Sequence, residues 1–351
     1  MSIKNEAVLV ANDNGYAAHK LAWLDESGVI KTGKITAAIE TGHTITSTTG
    51  AKIDAYTVGD SQYTCTDNSS DLISLRHANY PLSPENRVLF THAVNAFDLA
   101  DKSIKASVTL PYRDYYNENG TINTDFVQKV GSNFKQNNVV IEGLGSVLSV
   151  ESVQVTPEAI SAWFDWAMND DGKMNDNYDE MNEVDGSVLI IDIGGSTTDI
   201  VSVNMLKGEL IVRNEKSNST KLGVLDVTDE LHAAVKVVLH EAGVEGMEGH
   251  ASGISKRTLD RILATGKARM NGKQYDFTKQ RDSACANTAQ AIINYIRNCV
   301  GSTAEYFSIV FVGGGSVVFK PWMQKMLPSA EFSDEFANAR GALKFLISQQ
   351  G

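Results

Sequence analysis

Cysteine is scarce in this chain: Cys65, Cys285 and Cys299 are an odd, scattered set with no CxxC spacing, which excludes a disulfide framework and a thiolate zinc site. They read as buried apolar side chains. Histidine offers no alternative metal centre, because His240 and His250 bracket a glycine-rich loop without forming an HExxH pair. No apolar run approaches the roughly 20 residues a membrane-spanning helix needs, and the N-terminal MSIKNEAVLV lacks a basic leader followed by a long apolar core. A cytoplasmic protein without a membrane partner is expected. Positive charge is in deficit too, and a formal net charge of -12 argues against direct binding to nucleic acid, whose affinity comes from neutralising phosphates. Any link to DNA would need an adaptor.

What is present suffices for two domains with proper cores: 351 residues, of which 42% are hydrophobic. The charge is unevenly spread. Residues 170–185 carry seven acids against one lysine, and residues 256–281 carry eight bases against two acids. Both read as solvated faces, the first as a linker or surface insertion.

The chain is organised around GSVLIIDIGGSTTDIVSV (Gly186 to Val203). Its continuous, β-branched apolar run predicts a central strand covered on both faces, ending at a carboxylate, Asp192. Gly194 and Gly195 then allow backbone N–H groups to approach a ligand closely, and N–H groups fanned around a turn form an anion nest. Phosphate is the expected guest. An acid beside bound phosphate is tolerable mainly with a cation between them, so Mg²⁺ is implied. Taken alone, the same stretch is also compatible with a plain hairpin turn.

A second stretch matches it. AVLVANDNGYAAHK (Ala7 to Lys20) again places an aspartate at a strand end and glycine in the turn, which suggests an internal duplication gripping a polyphosphate from two sides. IVFVGGGS (309–316) supplies a third glycine approach, where a nucleoside would lie. Between these stretches, residues 7–66 read as strands and hairpins. Ser83 and Pro84 open a helix with Leu89, Ala93, Phe97 and Ala100 on its apolar face, a strand covers 107–111, and 123–134 is helical. Thr156, Pro157 and Glu158 read as the opening of another helix. Gly223 leads a helix stopped by Gly243, further helices cover 255–265 and 278–300, and Ser333 is expected to cap a closing helix.

These motifs resemble those of the actin-like ATPase superfamily, which includes actin, the large heat-shock chaperones and sugar kinases. DNGYAAHK matches its first phosphate loop, DIGGSTTD its second, VGGGS its adenosine motif, and TPEAISA and ANARGA its two connecting motifs. Within the superfamily the sequence is similar to the plasmid-segregation actins of the ParM (StbA) family, also at TLPYRDYYNENGTINTDFVQKVGSNF and KLGV. The resemblance implies an α/β, two-domain actin fold with a duplicated ribonuclease H-like core and the nucleotide in the interdomain cleft. Residues 1–183 plus 333–351 are expected to form one domain and 184–332 the other. It further implies ATP-dependent polymerisation into a helical filament that moves plasmid copies apart through an adaptor bound to a centromere-like DNA site.

Roles follow from chemistry and then from likeness. Asp13 and Asp192 would hold Mg²⁺ through water, an ion that keeps most of its hydration shell, and Lys20 would neutralise a phosphate oxygen. Glu158 would orient the water that attacks the terminal phosphate, since phosphoryl transfer needs positioning more than strong base chemistry. Asn14, Gly15, Tyr16, Gly194, Gly195, Ser196, Thr197, Gly223, Gly313, Gly314, Gly315 and Ser316 complete the expected ATP site, with GTP left open. One departure stands out: the superfamily commonly has a hydroxyl residue after the first loop's glycine, whereas Tyr16, Ala17 and Ala18 follow Gly15 here. A sugar or acetate type kinase is the alternative on this scaffold, although no second set of polar residues for an acceptor is evident. The acidic 170–185 and basic 256–281 segments could be complementary filament faces.

Overall fold

A computed structural model of the protein describes residues 7–244 and 254–350, so residues 1–6 and His250 lie outside the described residues. The chain begins with strands β1 (Val8–Asn14), β2 (Ala18–Leu24), β3 (Ile30–Thr36), β4 (Ile39–Thr41), β5 (Ala55–Val58) and β6 (Ser61–Cys65). There follow α1 (Pro84–Ala96), β7 (Ser103–Leu110), α2 (Tyr112–Tyr115), α3 (Thr124–Phe134), β8 (Val139–Ile141), β9 (Ser146–Val147) and β10 (Ser149–Pro157). Helices α4 (Ile160–Ala167) and α5 (Asp176–Glu183) lead to β11 (Ser187–Ile193), β12 (Thr198–Leu206), β13 (Glu209–Val212) and β14 (Asn218–Thr220). The remainder comprises α6 (Val224–Glu241), α7 (Lys256–Thr265), β15 (Lys267–Met270), β16 (Lys273–Asp276), α8 (Thr278–Val300), β17 (Ser308–Val312), α9 (Gly314–Met326), β18 (Glu331–Phe332) and α10 (Ala337–Ser348).

Two sheets repeat one plan. Their strand orders are β3-β2-β1-β7-β10 and β13-β12-β11-β17-β18. In each, three antiparallel strands are extended by two parallel ones. The duplication expected from the two phosphate-type hairpins is thus present in the backbone. A smaller sheet, β4-β6-β5-β8-β9, stands beside the first.

Helices cover both faces of the main sheets, which is why their central strands are apolar throughout. On β11, Leu189, Ile191 and Ile193 join a core with Ile292 and Ile296 of α8 and Phe319 of α9, while Val188 and Ile190 face Ile160 and Trp163 of α4. On the first sheet, Val10 and Ile104 meet Phe90 of α1 and Phe134 of α3, and Ala11 and Ala22 meet Ala339 and Leu343 of α10. The helix that ends the fold therefore packs on the strands that begin it.

Four local readings differ from the sequence expectation. Residues 170–185 are not a bare linker: Asn175 caps α5 by accepting from the Tyr178 amide, and Met181 is fully buried beside Trp163. One buried methionine among acids is a weak signal, since a single anchor leaves no periodicity to read. Helix α9 begins within the glycines, where low helix propensity and Pro321 conceal it. Helix α10 starts at Ala337 rather than at Ser333. Helix α1 stops at Ala96, leaving Phe97 to stack on Trp23 at 5.1 Å.

Behind the first hairpin, His19 is fully buried; its Nδ1 accepts from the Asn12 amide at 3.2 Å and its Nε2 donates to the Tyr80 hydroxyl at 2.7 Å. Burial, with help from His92 and Lys20, lowers its pKa from 6.5 to about 3. A depressed folded pKa means the contribution to stability is whole above pH 6.5 and is lost as pH falls toward 3. The expected slope is about 1.4 kcal/mol per pH unit across that window. Urea midpoints of wild type and His19→Gln should converge between pH 6.5 and 4; parallel profiles would contradict this assignment.

Candidate functional site

Both hairpins put their functional side chains at the same register. Asp13 pairs across the β1–β2 ladder with Lys20, and Asp192 pairs across the β11–β12 ladder with Asp199. Directly opposed residues project on the same side of a sheet. One hairpin therefore carries an acid and a base, and the other carries two acids.

The two turns meet. A Cβ added to Gly195 would fall 2.5 Å from the Cβ of Ala17, so glycine in the second turn lets the first turn touch it. Together they form the floor of a cleft of about 860 Å³. Asp13, Asn14, Gly15, Tyr16 and Lys20 line it from the first hairpin, and Asp192, Gly194, Gly195, Ser196 and Thr197 line it from the second. Glu158 and Gly314 line it as well. That volume lies within the range of small-molecule and cofactor sites.

The other expected residues stand behind the wall. A Cβ on Gly223 would come 2.8 Å from the Gly194 carbonyl oxygen, and one on Gly313 would come 2.6 Å from that of Ile193. Gly315 likewise presses on Ile193. Ser316 donates to the Gly313 carbonyl at 2.8 Å and is buried. These four shape the second loop. They let α6 and α9 press against its backbone.

Glu158 is not in the first turn of a helix. Strand β10 runs through Pro157, Ala159 takes a left-handed φ of 63° as the N-cap, and α4 starts only at Ile160. A non-glycine residue at such a φ is held there by its surroundings, here by its N–H, which donates to Asn338 Oδ1 at 3.0 Å. The Glu158 N–H donates to the Leu110 carbonyl at 2.7 Å. The side chain is thereby aimed into the cleft without the macrodipole's help.

The acids hydrogen-bond in separate groups but lie close enough to act on one another electrostatically. Lys20 Nζ lies 2.8 Å from Asp13 Oδ2, the Thr109 hydroxyl lies 3.3 Å from both Asp13 Oδ1 and Glu158 Oε1, and Asn338 Nδ2 donates to Asp192 Oδ2 at 2.5 Å. Asp199 Oδ1 accepts from the Tyr112 amide at 3.0 Å and from the Ser219 hydroxyl, while its buried Oδ2 has no hydrogen-bond partner among the described residues. Burial, reinforced by Asp13, Asp199 and Asp192, pushes the Glu158 carboxyl well above its ordinary range. Burial and then Asp13 push Asp192 to about 7, and burial pushes Asp199 to about 6. For Lys20 burial disfavours the charge, but Asp13, Asp192 and Glu158 outweigh it and raise its pKa.

Fully ionised, such a cluster would carry more negative charge than one lysine can neutralise, and it borders an open cavity. A divalent cation with phosphate oxygens fits that imbalance. Among the described residues no three acids, histidines or thiols converge closely enough to ligate an ion directly. Asp13 and Asp192 are the carboxylates that the two hairpins bring to the cleft.

Sequence reading missed four residues here: Thr109, Asn338, Asp199 and Arg76. Asp199 ends the quoted DIGGSTTD and Asn338 lies in ANARGA, so both were within view, but nothing local shows that one caps a turn from another helix. Arg76 sits in an irregular stretch without periodicity. Its Nε donates to the Ser196 hydroxyl at 3.1 Å.

Comparison with known proteins fits this geometry. Residues 8–169 match the family profile described as plasmid segregation protein ParM, N-terminal (StbA_N), and residues 190–325 match that of the archaeal actin homologue MreB-like, C-terminal. The chain belongs to the actin-like superfamily, with a ParM-type N-terminal half. No curated protein matches the sequence. Solved structures of the same fold do. A non-polymerisable quadruple mutant of pCBH ParM is similar with 20% identity and a TM-score of 0.75, over 99% of this chain and 100% of that one. A 15-stranded ParM filament from Clostridium botulinum has 19% identity and a TM-score of 0.73 over the same shares. An archaeal actin homologue in complex with ADP has 18% identity and a TM-score of 0.70, over 97% of this chain and 99% of that one. The actin-like architecture thus holds end to end.

Proposed function

We propose that the protein is an ATP-hydrolysing, filament-forming actin of the plasmid-segregation type. The observation that carries this reading is the cleft between two matched hairpins, whose acids and glycine turns suit one magnesium nucleotide. Residues 1–183 plus 333–351 and residues 184–332 are the two domains in this account. The glycine turns at 15 and at 194–195 offer N–H groups to the phosphates, Lys20 offsets their charge, and Ser196 and Thr197 donate hydroxyl protons. Magnesium would draw charge from the terminal phosphate. Glu158 orients the attacking water, whose oxygen forms a new P–O bond as the β–γ bridging P–O bond breaks, releasing ADP and inorganic phosphate.

Subunits joining head to tail through a heterologous interface generate an open helical filament. A coupling of about 1.4 kcal/mol between nucleotide state and that interface changes the subunit dissociation constant tenfold. ATP filaments then grow and ADP filaments shrink. The chain works in the cytoplasm and reaches plasmid DNA through an adaptor. The relatives support this reading, since one of them is a ParM filament and another binds ADP.

Phosphate release and nucleotide titration test it. Purified protein with Mg²⁺ should release phosphate from ATP without any small-molecule acceptor. Phosphate appearing instead on a small alcohol, with no release into water, would favour the kinase.

A further inference from the structure

Arg76 belongs to no secondary-structure element and to neither phosphate hairpin, yet three contacts fix it across the cleft. Besides its Nε bond to Ser196, its Nη1 donates to Asp229 and its Nη2 to Asp226, each at 3.0 Å. The preceding residue, Leu75, is buried at 6% exposure in the core of the smaller sheet and anchors Arg76 there. Asp226 in turn accepts from the Gly223 amide at 2.7 Å, and the first amides of α6, those of Val224 and Leu225, donate to the carbonyls of Gly194 and Gly195 at 3.1 and 2.8 Å. The second phosphate loop and the start of α6 are therefore one rigid piece. Arg76 reaches that piece from the other lobe.

The direction of the Nε bond matters. A hydroxyl has one proton and two lone pairs. With a guanidinium N–H filling one lone pair of Ser196 Oγ, the hydroxyl proton must point elsewhere, and Ser196 lines the cleft. An arginine cannot accept a proton, so the polarity of this bond cannot reverse.

Resting on the proposed hydrolysis, we infer that Arg76 is a positioning residue that turns the Ser196 hydroxyl toward the terminal phosphate and does so only when the lobes are closed. Closure and preparation of the phosphate loop are then the same event. The two acids in α6 hold the planar fork in place, and lysine cannot replace it because one ammonium cannot meet Ser196, Asp226 and Asp229 in that geometry. During turnover Arg76 exchanges no proton and forms no covalent bond. It acts through Ser196.

The test is a double-mutant cycle on full-length protein, read as single-turnover phosphate release and as fluorescent-nucleotide affinity. Arg76→Ala is expected to slow release about 10- to 100-fold, with Arg76→Lys close to the alanine variant and guanidinium ion restoring part of the rate to Arg76→Ala. In a Ser196→Ala background the further change to Arg76→Ala should alter the rate less than about twofold. A full effect of Arg76→Ala in that background would show a simple lobe latch and overturn the inference, as would unchanged release in Arg76→Ala alone. Thermal unfolding of each variant separates loss of fold from loss of positioning. Wild-type protein that binds nucleotide but never hydrolyses it would remove the proposed function and this inference together, whereas a failed cycle with active wild type removes only the role of Arg76.

Discussion

Replacing Glu158 with glutamine should lower phosphate release by about 10² to 10³-fold while leaving nucleotide affinity within a few-fold of wild type. The substitution keeps size and the turn, which is set by backbone bonds to Leu110 and Asn338 rather than by the carboxyl group. Filaments should still form with ATP, but they should persist, because the step that loosens them is slow. Burial and neighbouring acids raise the Glu158 carboxyl pKa, an environment typical of functional acids. Single-turnover phosphate release measures the effect directly. An unchanged rate would remove Glu158 from the mechanism.

The second large effect concerns stability. Gly341 lies where α10 crosses α4, and a Cβ there would overlap the Ser161 carbonyl oxygen and come 2.7 Å from the Asp165 amide nitrogen. Both obstacles are backbone, so no side-chain rotation relieves them. Gly341→Ala should cost at least about 3 kcal/mol, at the upper end of overpacking penalties. It should also weaken nucleotide binding, since α10 carries Asn338, which holds Asp192, and α4 follows directly from Glu158. Denaturant unfolding together with nucleotide titration checks both. A variant as stable as wild type would show that the helices have room to separate.

The repeated strand-turn-strand pattern was legible because continuous apolar runs and end-of-strand acids leave a local record. The continuous run of β11 announced a strand covered on both faces, and the paired aspartates announced a charged site. What escaped were long-range relations. Asn338 joins Asp192 to the turn after Glu158 across 146 and 179 residues, and Arg76 meets Ser196 across 120. Such contacts follow from how sheets and helices stack, which no window of sequence contains. Glu158 was placed in a helix because Thr-Pro-Glu is a strong helix opening, but tertiary bonds hold Ala159 left-handed and delay the helix. Glycines 223, 313 and 315 also have a role no window of sequence reveals, since in the fold they allow α6 and α9 to press against the second loop.

The most direct measurement records light scattering and phosphate release in the same sample after mixing the protein with magnesium and ATP. The account predicts that scattering rises first, that phosphate follows, and that scattering then decays as ADP subunits leave, with a non-hydrolysable analogue holding the plateau. Scattering that ignores nucleotide, or that stays high after all phosphate has been released, would contradict it.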